Sequence, residues 1–116
     1  MISDIEEYVR SVLSLPRYLH SLRTADTAQR ICGKFSRSIG LCEEDGRYVG
    51  VVHDLAREYE DRLLVEIAEG DGYPLSEVEL MRPSLLHGRA AAVVLRERFG
   101  ERREHILQAV RWHTYG

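Results

Sequence analysis

The chain has 116 residues, of which 44% are apolar and 30% charged, the size and composition of one globular domain. No stretch approaches the roughly 18 uncharged residues that a membrane span needs. The N-terminus, Met1-Ile2-Ser3-Asp4, lacks the basic and apolar segments of a secretory signal, so we expect a soluble cytoplasmic protein. A net charge of -3 argues against duplex nucleic acid as a partner, because proteins that bind it concentrate positive charge on one face.

Apolar residues recur with helical spacing from the N-terminus onward. The first predicted helix has its cap at Ser3 or Asp4 and ends before Pro16. The second runs from Pro16 to Ser38 and is closed by Gly40. We expect its core-facing residues to be Leu19, Leu22, Ala25, Ile31, Cys32 and Phe35. A cytoplasmic chain of this composition has little need of a disulfide, so both Cys32 and Cys42 are expected to be buried free thiols.

The third predicted helix spans about Glu43 to Ala56, with acidic residues in its first turn. Its end is apolar on nearly all sides, which predicts a place in the middle of the core. A short buried strand over Tyr48 to Val52 is the alternative. It is the weaker one, because no other segment shows the alternation of a pairing strand.

Four further helices follow. They are predicted over Asp61 to Glu69, Ser76 to Met81, Leu85 to Phe99 and Glu101 to Trp112. In the second of these, the serine and the glutamate three residues later are spaced as a capping box. The fold class is therefore all-α, an irregular single-domain bundle of six to seven helices.

Four of the five histidines fall in apolar surroundings at or near helix ends: His20, His53, His87 and His113. His105 is predicted to be a surface residue. Asp54 follows His53 at the end of the most apolar helix, where an unpartnered polar group would cost about 1 to 3 kcal/mol. Each histidine alone could simply bond to backbone, whereas a shared metal ion would satisfy all of them at once.

The motifs around these residues resemble those of the HD-domain metal-dependent phosphohydrolases. The resemblance covers about residues 17–116 and rests on four short motifs: Arg17-Tyr18-Leu19-His20, Val52-His53-Asp54-Leu55, His87-Gly88-Arg89-Ala90 and Trp112-His113-Thr114. Arg57, three residues after Asp54, and the His-Thr pair are similar to the symmetrical bis(5'-nucleosyl)-tetraphosphatase subfamily, which cuts diadenosine tetraphosphate into two ADP.

The resemblance implies two divalent metal ions that share Asp54 as a ligand. His20, His53 and Asp54 would bind the first ion, and Asp54, His87 and His113 the second. It implies iron, although manganese or another ion that favours nitrogen and oxygen ligands also suits the set. An activated water would attack phosphorus.

The catalytic residues expected are Asp54 and Arg57, and the substrate-binding residues are Arg57, Arg89 and Thr114. The partner is then a nucleotide or dinucleoside polyphosphate.

The family supplies a last aspartate ligand after the His-Thr motif, and this chain has no aspartate after Asp71. We therefore expect a chain that is short at its C-terminus, or a gap filled by another carboxylate or by a second copy in a homodimer. Two alternatives stay open: another nucleotidase or phosphodiesterase of the same family, and a catalytically silent helical module that binds nucleotide or a protein partner.

Overall fold

The computed structural model describes residues 2–39 and 42–115, and these residues contain α-helices, short 3-10 helices and no strand. The α-helices are α1 (Ile2–Val12), α2 (Leu15–Ile39), α3 (Glu43–Val52), α4 (Asp61–Glu69), α5 (Glu77–Met81), α6 (His87–Phe99) and α7 (Glu104–Arg111). Two 3-10 helices, Pro83–Leu86 and His113–Tyr115, adjoin α6 and α7. The all-α prediction is confirmed, and the strand alternative over Tyr48 to Val52 is wrong.

The Ala-rich helix α6 lies at the centre of the core. Ala90, Ala91 and Leu95 are fully buried, and α6 packs against both α4 and α7. Small side chains let these helices approach on several sides of α6. Gly100 ends the helix in the left-handed conformation, with φ of 71°, which glycine adopts without strain.

Local sequence signals set several helix ends as predicted. Helix α4 has the predicted bounds, and the Ser76–Glu79 capping box is present at the start of α5. Helix α1 begins at Ile2, ahead of the predicted caps. Helix α2 ends at Ile39, one residue beyond the predicted Ser38, and the predicted closing residue Gly40 lies outside the described residues.

Helix α3 is shorter than predicted. It ends at Val52 and is followed by a run of turns through residue 59. His53 and Asp54 therefore leave the helix end rather than continue its surface. The chain can change direction there, which lets both side chains point toward residues of other helices.

The predicted inner face of α2 is only partly buried. Ala25 and Cys32 are buried, whereas Leu19, Ile31 and Phe35 are 42%, 45% and 49% exposed. The reason is tertiary: this long helix packs mainly along α3 and only slightly against α1. Phe35 also leaves the helical conformation, with φ of -122° and ψ of 26°.

The two cysteines differ in their burial. Both cysteines are free, as predicted, but only Cys32 is buried and Cys42 is exposed. Cys42 immediately precedes the start of α3, where the chain is at the surface.

Among the described helices, none combines the length and the apolar character required to span a bilayer.

Candidate metal centre

Close contact between α2 and α3 places His20 beside His53. At Gly50, a Cβ atom would overlap Ala25 Cα and lie 2.7 Å from Ala25 N, so the two helices touch backbone to backbone. Only a glycine allows this approach. As a result, the rings of His20 and His53 lie 6.0 Å apart between centroids.

A second glycine brings α6 to the end of α7. A Cβ at Gly88 would lie 2.6 Å from the Arg111 carbonyl oxygen. His87, the first residue of α6, and His113, just beyond α7, consequently face each other. Their Nε2 atoms are 3.0 Å apart.

Asp54 lies between the two histidine pairs, and each pair faces a different oxygen of its carboxylate. Oδ1 is 3.2 Å from Nε2 of His87 and 3.2 Å from Nε2 of His113. Oδ2 is 3.5 Å from Nε2 of His53 and 3.9 Å from Nε2 of His20. In each of the two triplets that share Asp54, the ligand atoms lie within 4.8 Å of one another.

The backbone fixes which ring nitrogen of three histidines faces the centre. Nδ1 of His53, His87 and His113 is 2.7 Å from the carbonyl oxygen of Gly50, Ser84 and Val110, respectively. Because a carbonyl only accepts, each Nδ1 must donate its proton there. In a neutral ring, Nε2 then carries a lone pair, so the centre is a set of acceptors facing one another. A cation can satisfy such a set, and its nitrogen and oxygen chemistry fits divalent metal ions.

The protonation states at the centre also suit metal binding. Burial alone would raise the pKa of Asp54, but its contacts with His113 and His87, and the nearby His53, outweigh burial and hold that pKa well below its ordinary value. Burial lowers the pKa of His53 below that of a free histidine. The Asp54 carboxylate is therefore ionised and the His53 imidazole neutral near pH 7, which are the metal-binding forms of these two groups.

Solvent reaches the centre mainly from one side. The His87 side chain is 2% exposed and that of Asp54 9%, whereas His20 is 48% exposed. His53 and His113 are intermediate, at 13% and 21%. The centre is thus half-buried, and its most exposed side chain, His20, belongs to α2.

A sequence model described as the HD domain matches residues 17–116 of this chain. The chain belongs to the HD domain family. All four histidines and the aspartate of the centre lie inside the matched segment, so the family assignment and the geometry concern the same residues.

Two relatives extend the comparison. The chain is 28% identical over 116 residues to the symmetrical bis(5'-nucleosyl)-tetraphosphatase of Staphylococcus aureus, covering 99% of this chain and 57% of that protein. It is 32% identical to the crystal structure of a predicted HD superfamily hydrolase involved in NAD metabolism from Clostridium acetobutylicum, with a TM-score of 0.89. That match covers 100% of this chain and 59% of the other. The chain therefore spans less than two thirds of the length of either relative.

Within this HD domain, the five ligands expected from the sequence lie together, and His105 lies elsewhere. The His105 side chain is 52% exposed, with Nε2 3.9 Å from Asp45. Arg57 is exposed in the turns that follow Asp54, and its backbone N–H donates to the Asp54 carbonyl. The Thr114 hydroxyl is buried and has no hydrogen-bond partner among the described residues.

Arg89 is the exception to the expected site. Its side chain is 2% exposed and forms a two-bond ion pair with Asp71 at 2.7 Å, plus bonds to both oxygens of Glu79 at 3.1 Å. The carbonyl oxygens of Tyr73 and Pro74 accept further bonds. Every N–H of the guanidinium is thus used internally, so the expectation that Arg89 binds substrate phosphate is not supported. Arg89 instead ties the loop after α4 to α6.

Sequence reasoning missed the residues that position the centre. Gly50 and Gly88 permit the helix contacts, and Asp71 and Glu79 neutralise Arg89. The only signal was local: Gly50 interrupts an apolar helix, and Gly88 directly follows a histidine. Neither pattern specifies which backbone the glycine will touch.

Proposed function

We propose that this HD domain is a metal-dependent phosphohydrolase of dinucleoside polyphosphates, cleaving diadenosine tetraphosphate into two ADP. The observation that carries the proposal is the division of the Asp54 carboxylate, with one oxygen toward His87 and His113 and the other toward His53 and His20. A carboxylate shared in this way is suited to bridge two metal ions.

In this proposal His20, His53 and Asp54 hold one ion, and Asp54, His87 and His113 hold the other. Iron is our proposed metal, with manganese as an alternative, because both accept imidazole and carboxylate ligands. Two such ions, when bound by these residues, would lower the pKa of a water and neutralise charge on the phosphate. The acidic side chain of the centre is the single carboxylate of Asp54, so a centre that held two divalent ions would stay positive and attract a polyphosphate anion.

Two residues close in sequence to members of the centre are our proposed substrate contacts. Arg57 is exposed only three residues after Asp54, and a guanidinium there can bind phosphate oxygens with two hydrogen bonds. Thr114 directly follows His113, and its hydroxyl has no partner among the described residues. We assign both to substrate binding, and Arg57 also to stabilising charge on the phosphate that leaves.

The substrate class is supported by the Staphylococcus aureus relative, whose name states a symmetrical tetraphosphatase. One observation favours a second candidate. The distances from Oδ2 to His53 and His20, 3.5 and 3.9 Å, are longer than those on the Oδ1 side. A chain that filled only the His87 and His113 triplet would be a nucleotide-binding module without hydrolysis.

Metal content and a substrate panel test the proposal together. We expect about two metal equivalents per chain by elemental analysis, falling to about one in His87→Ala and unchanged in His105→Ala, the matched surface control. Loaded protein should release ADP from diadenosine tetraphosphate. Release of inorganic phosphate from mononucleotides, or opening of cyclic nucleotides, would assign the chain to another phosphohydrolase activity.

Two other results separate the remaining possibilities. Metal below about 0.2 equivalents per chain that does not change in His87→Ala would contradict the metal centre itself. Tight metal binding with no hydrolysis of any polyphosphate would favour the nucleotide-binding module.

A further inference from the structure

A loop outside the metal centre is bonded to the start of α6. It connects α4 to α5 over residues 70–76. Arg89, two residues after His87, donates to the Asp71 carboxylate at 2.7 Å and to the Tyr73 carbonyl oxygen at 2.8 Å. The Tyr73 N–H in turn donates to Asp71 Oδ1 at 2.8 Å. Both polar groups of the Tyr73 backbone are thus used, and the residue is fixed relative to the first turn of α6.

The ring of Tyr73 extends from this loop to the end of α7. The guanidinium carbon of Arg111 lies 5.0 Å from the centre of the ring, within the range of a cation–π contact. The Trp112 ring meets the same ring edge to face, with 6.1 Å between the centroids. Tyr73 therefore contacts the two residues that directly precede the metal ligand His113.

Arg111 is held through both its side chain and its backbone. It is 4% exposed, and its Nε has no hydrogen-bond partner among the described residues. A buried cation in this state is stabilised by the face of an aromatic ring, which here is that of Tyr73. The Arg111 carbonyl oxygen is also the atom that α6 approaches at Gly88. The Tyr73 ring thus acts on the residue at which α7 meets α6.

His113 depends on these neighbours because it lies beyond the regular helix. Helix α7 ends at Arg111, and Trp112 has non-helical dihedral angles, with φ of -100° and ψ of 6°. The bond from Nδ1 to the Val110 carbonyl fixes how the His113 ring is turned. The place of that ring opposite His87, with 3.0 Å between the Nε2 atoms, depends on how the end of α7 lies against α6.

We propose that Tyr73 is a positioning residue of the metal centre, whose ring fixes the end of α7 so that His113 faces His87. This inference rests on the proposed function and adds a residue that acts through Arg111 rather than on an ion. The ligands affected belong to the inner triplet, which is Asp54, His87 and His113. The outer triplet, which is His20, His53 and Asp54, has its histidines on α2 and directly after α3.

Co²⁺ titration of the full chain, followed by calorimetry and visible absorption, measures both triplets without relying on hydrolysis. His87→Ala and His20→Ala assign the two binding steps to the inner and the outer triplet. Tyr73→Leu removes the ring. We expect it to weaken Co²⁺ binding about tenfold at the inner triplet and less than about twofold at the outer one. Tyr73→Phe keeps the ring and should bind within about twofold of the unmodified chain at both.

Arg111→Met tests the path between Tyr73 and His113. It removes the guanidinium over the ring while keeping a long side chain, so it should also weaken Co²⁺ binding at the inner triplet. In the double variant with Tyr73→Leu, the affinity should equal that of Tyr73→Leu alone, because residues that act through one shared contact are not additive. Additive losses would overturn the proposed path.

Phe35→Leu is the matched control. Phe35 is 49% exposed and Tyr73 45%, so both substitutions exchange a half-exposed aromatic ring for leucine. The Phe35 ring lies on α2 under the Lys34 ammonium, outside the loop that holds Tyr73. Phe35→Leu should leave both Co²⁺ affinities unchanged.

The outcomes separate failure of this inference from failure of the proposed function. If the unmodified chain binds Co²⁺ at both triplets and Tyr73→Leu keeps the inner affinity, the positioning role is wrong and the metal centre stands. Equal losses at both triplets would show a general structural role and overturn the inference. Tyr73→Phe as weak as Tyr73→Leu would assign the effect to the hydroxyl and overturn it too.

Two results concern the function itself. An unmodified chain that binds no Co²⁺ would refute the metal centre and this inference together. The expected variant pattern in a chain that releases no ADP from diadenosine tetraphosphate would support the positioning role and contradict the catalytic proposal.

Discussion

Gly50→Ala is the substitution that most directly tests how the metal centre is built. The added Cβ would lie 2.7 Å from Ala25 N, whereas ordinary contact begins near 3.4 Å. Helices α2 and α3 would therefore have to separate by about 0.7 Å or more at this point. The two atoms nearest to the new Cβ are Ala25 Cα and Ala25 N. Both belong to the helix backbone, so no side-chain rotation can relieve the contact.

The magnitude follows from two opposed effects. Overpacking a tight contact costs about 1 to 3 kcal/mol, and replacing glycine by alanine inside a helix returns about 0.5 to 1 kcal/mol. We expect a net loss of about 1 to 2 kcal/mol in the free energy of unfolding. For a domain of this size, that lowers the melting temperature by about 4 to 8 °C.

The assay is thermal unfolding by circular dichroism in the presence of a chelator, followed by metal titration. Gly33→Ala is the matched control, because the three atoms nearest to its new Cβ all belong to the Glu43 side chain, which is exposed and able to turn away. Gly33→Ala should leave the melting temperature unchanged or raise it. Gly50→Ala should also weaken metal binding, since His20 and His53 lie on the two separated helices.

A melting temperature for Gly50→Ala equal to or above that of Gly33→Ala would refute the reasoning. It would mean that α2 and α3 do not touch at Ala25, and that His20 reaches His53 by another route.

Three further predictions concern the interior of the domain. Arg89→Met leaves the carboxylates of Asp71 and Glu79 without their cation, so the free energy of unfolding should fall by about 3 to 5 kcal/mol in a urea titration; a loss below about 1 kcal/mol would contradict the buried role of Arg89. Burial alone would raise the pKa of Asp71, but its hydrogen bonds from Arg89 outweigh burial and hold that pKa below the ordinary value. The Arg89–Asp71 ion pair therefore contributes its full stabilisation above about pH 4, and this stabilisation is lost as the pH falls through the depressed pKa of Asp71 in the folded state. In urea titrations from pH 7 downward, the stability gap between the unmodified chain and Asp71→Asn should be constant to about pH 4 and then narrow; a gap that widens below pH 4 would reverse the sign of the argument. Finally, Cys42 is exposed and Cys32 is buried, and burial raises the pKa of the Cys32 thiol. A thiol reagent should therefore modify Cys42 rapidly and Cys32 only on unfolding. Rapid loss of both thiols, with Cys42→Ser as the control, would show that the α2–α3 contact opens readily.

Local signals in the sequence were sufficient for most helices. The bounds of α4, the capping box at Ser76 and the stop at Gly100 follow from short-range rules for caps and glycine. These rules depend on neighbouring residues only, so they hold wherever the helix is placed. They failed for the predicted inner face of α2. Leu19, Ile31 and Phe35 stay partly exposed although their apolar spacing resembles a buried stripe, because α2 packs mainly along α3.

The ligand set shows the same division. The sequence by itself predicted that His20, His53, Asp54, His87 and His113 share a site, because polar residues in apolar surroundings near helix ends need a partner, and it set His105 aside. Only the tertiary structure decided that each oxygen of Asp54 faces a different pair, since that depends on close backbone contacts between helices distant in sequence. It also decided the role of Arg89. Its position two residues after His87 in the chain predicted a phosphate contact, whereas the fold places the carboxylates of Asp71 and Glu79 around its guanidinium. The partners of a buried charge are the groups nearest to it in space, and the local sequence does not specify them.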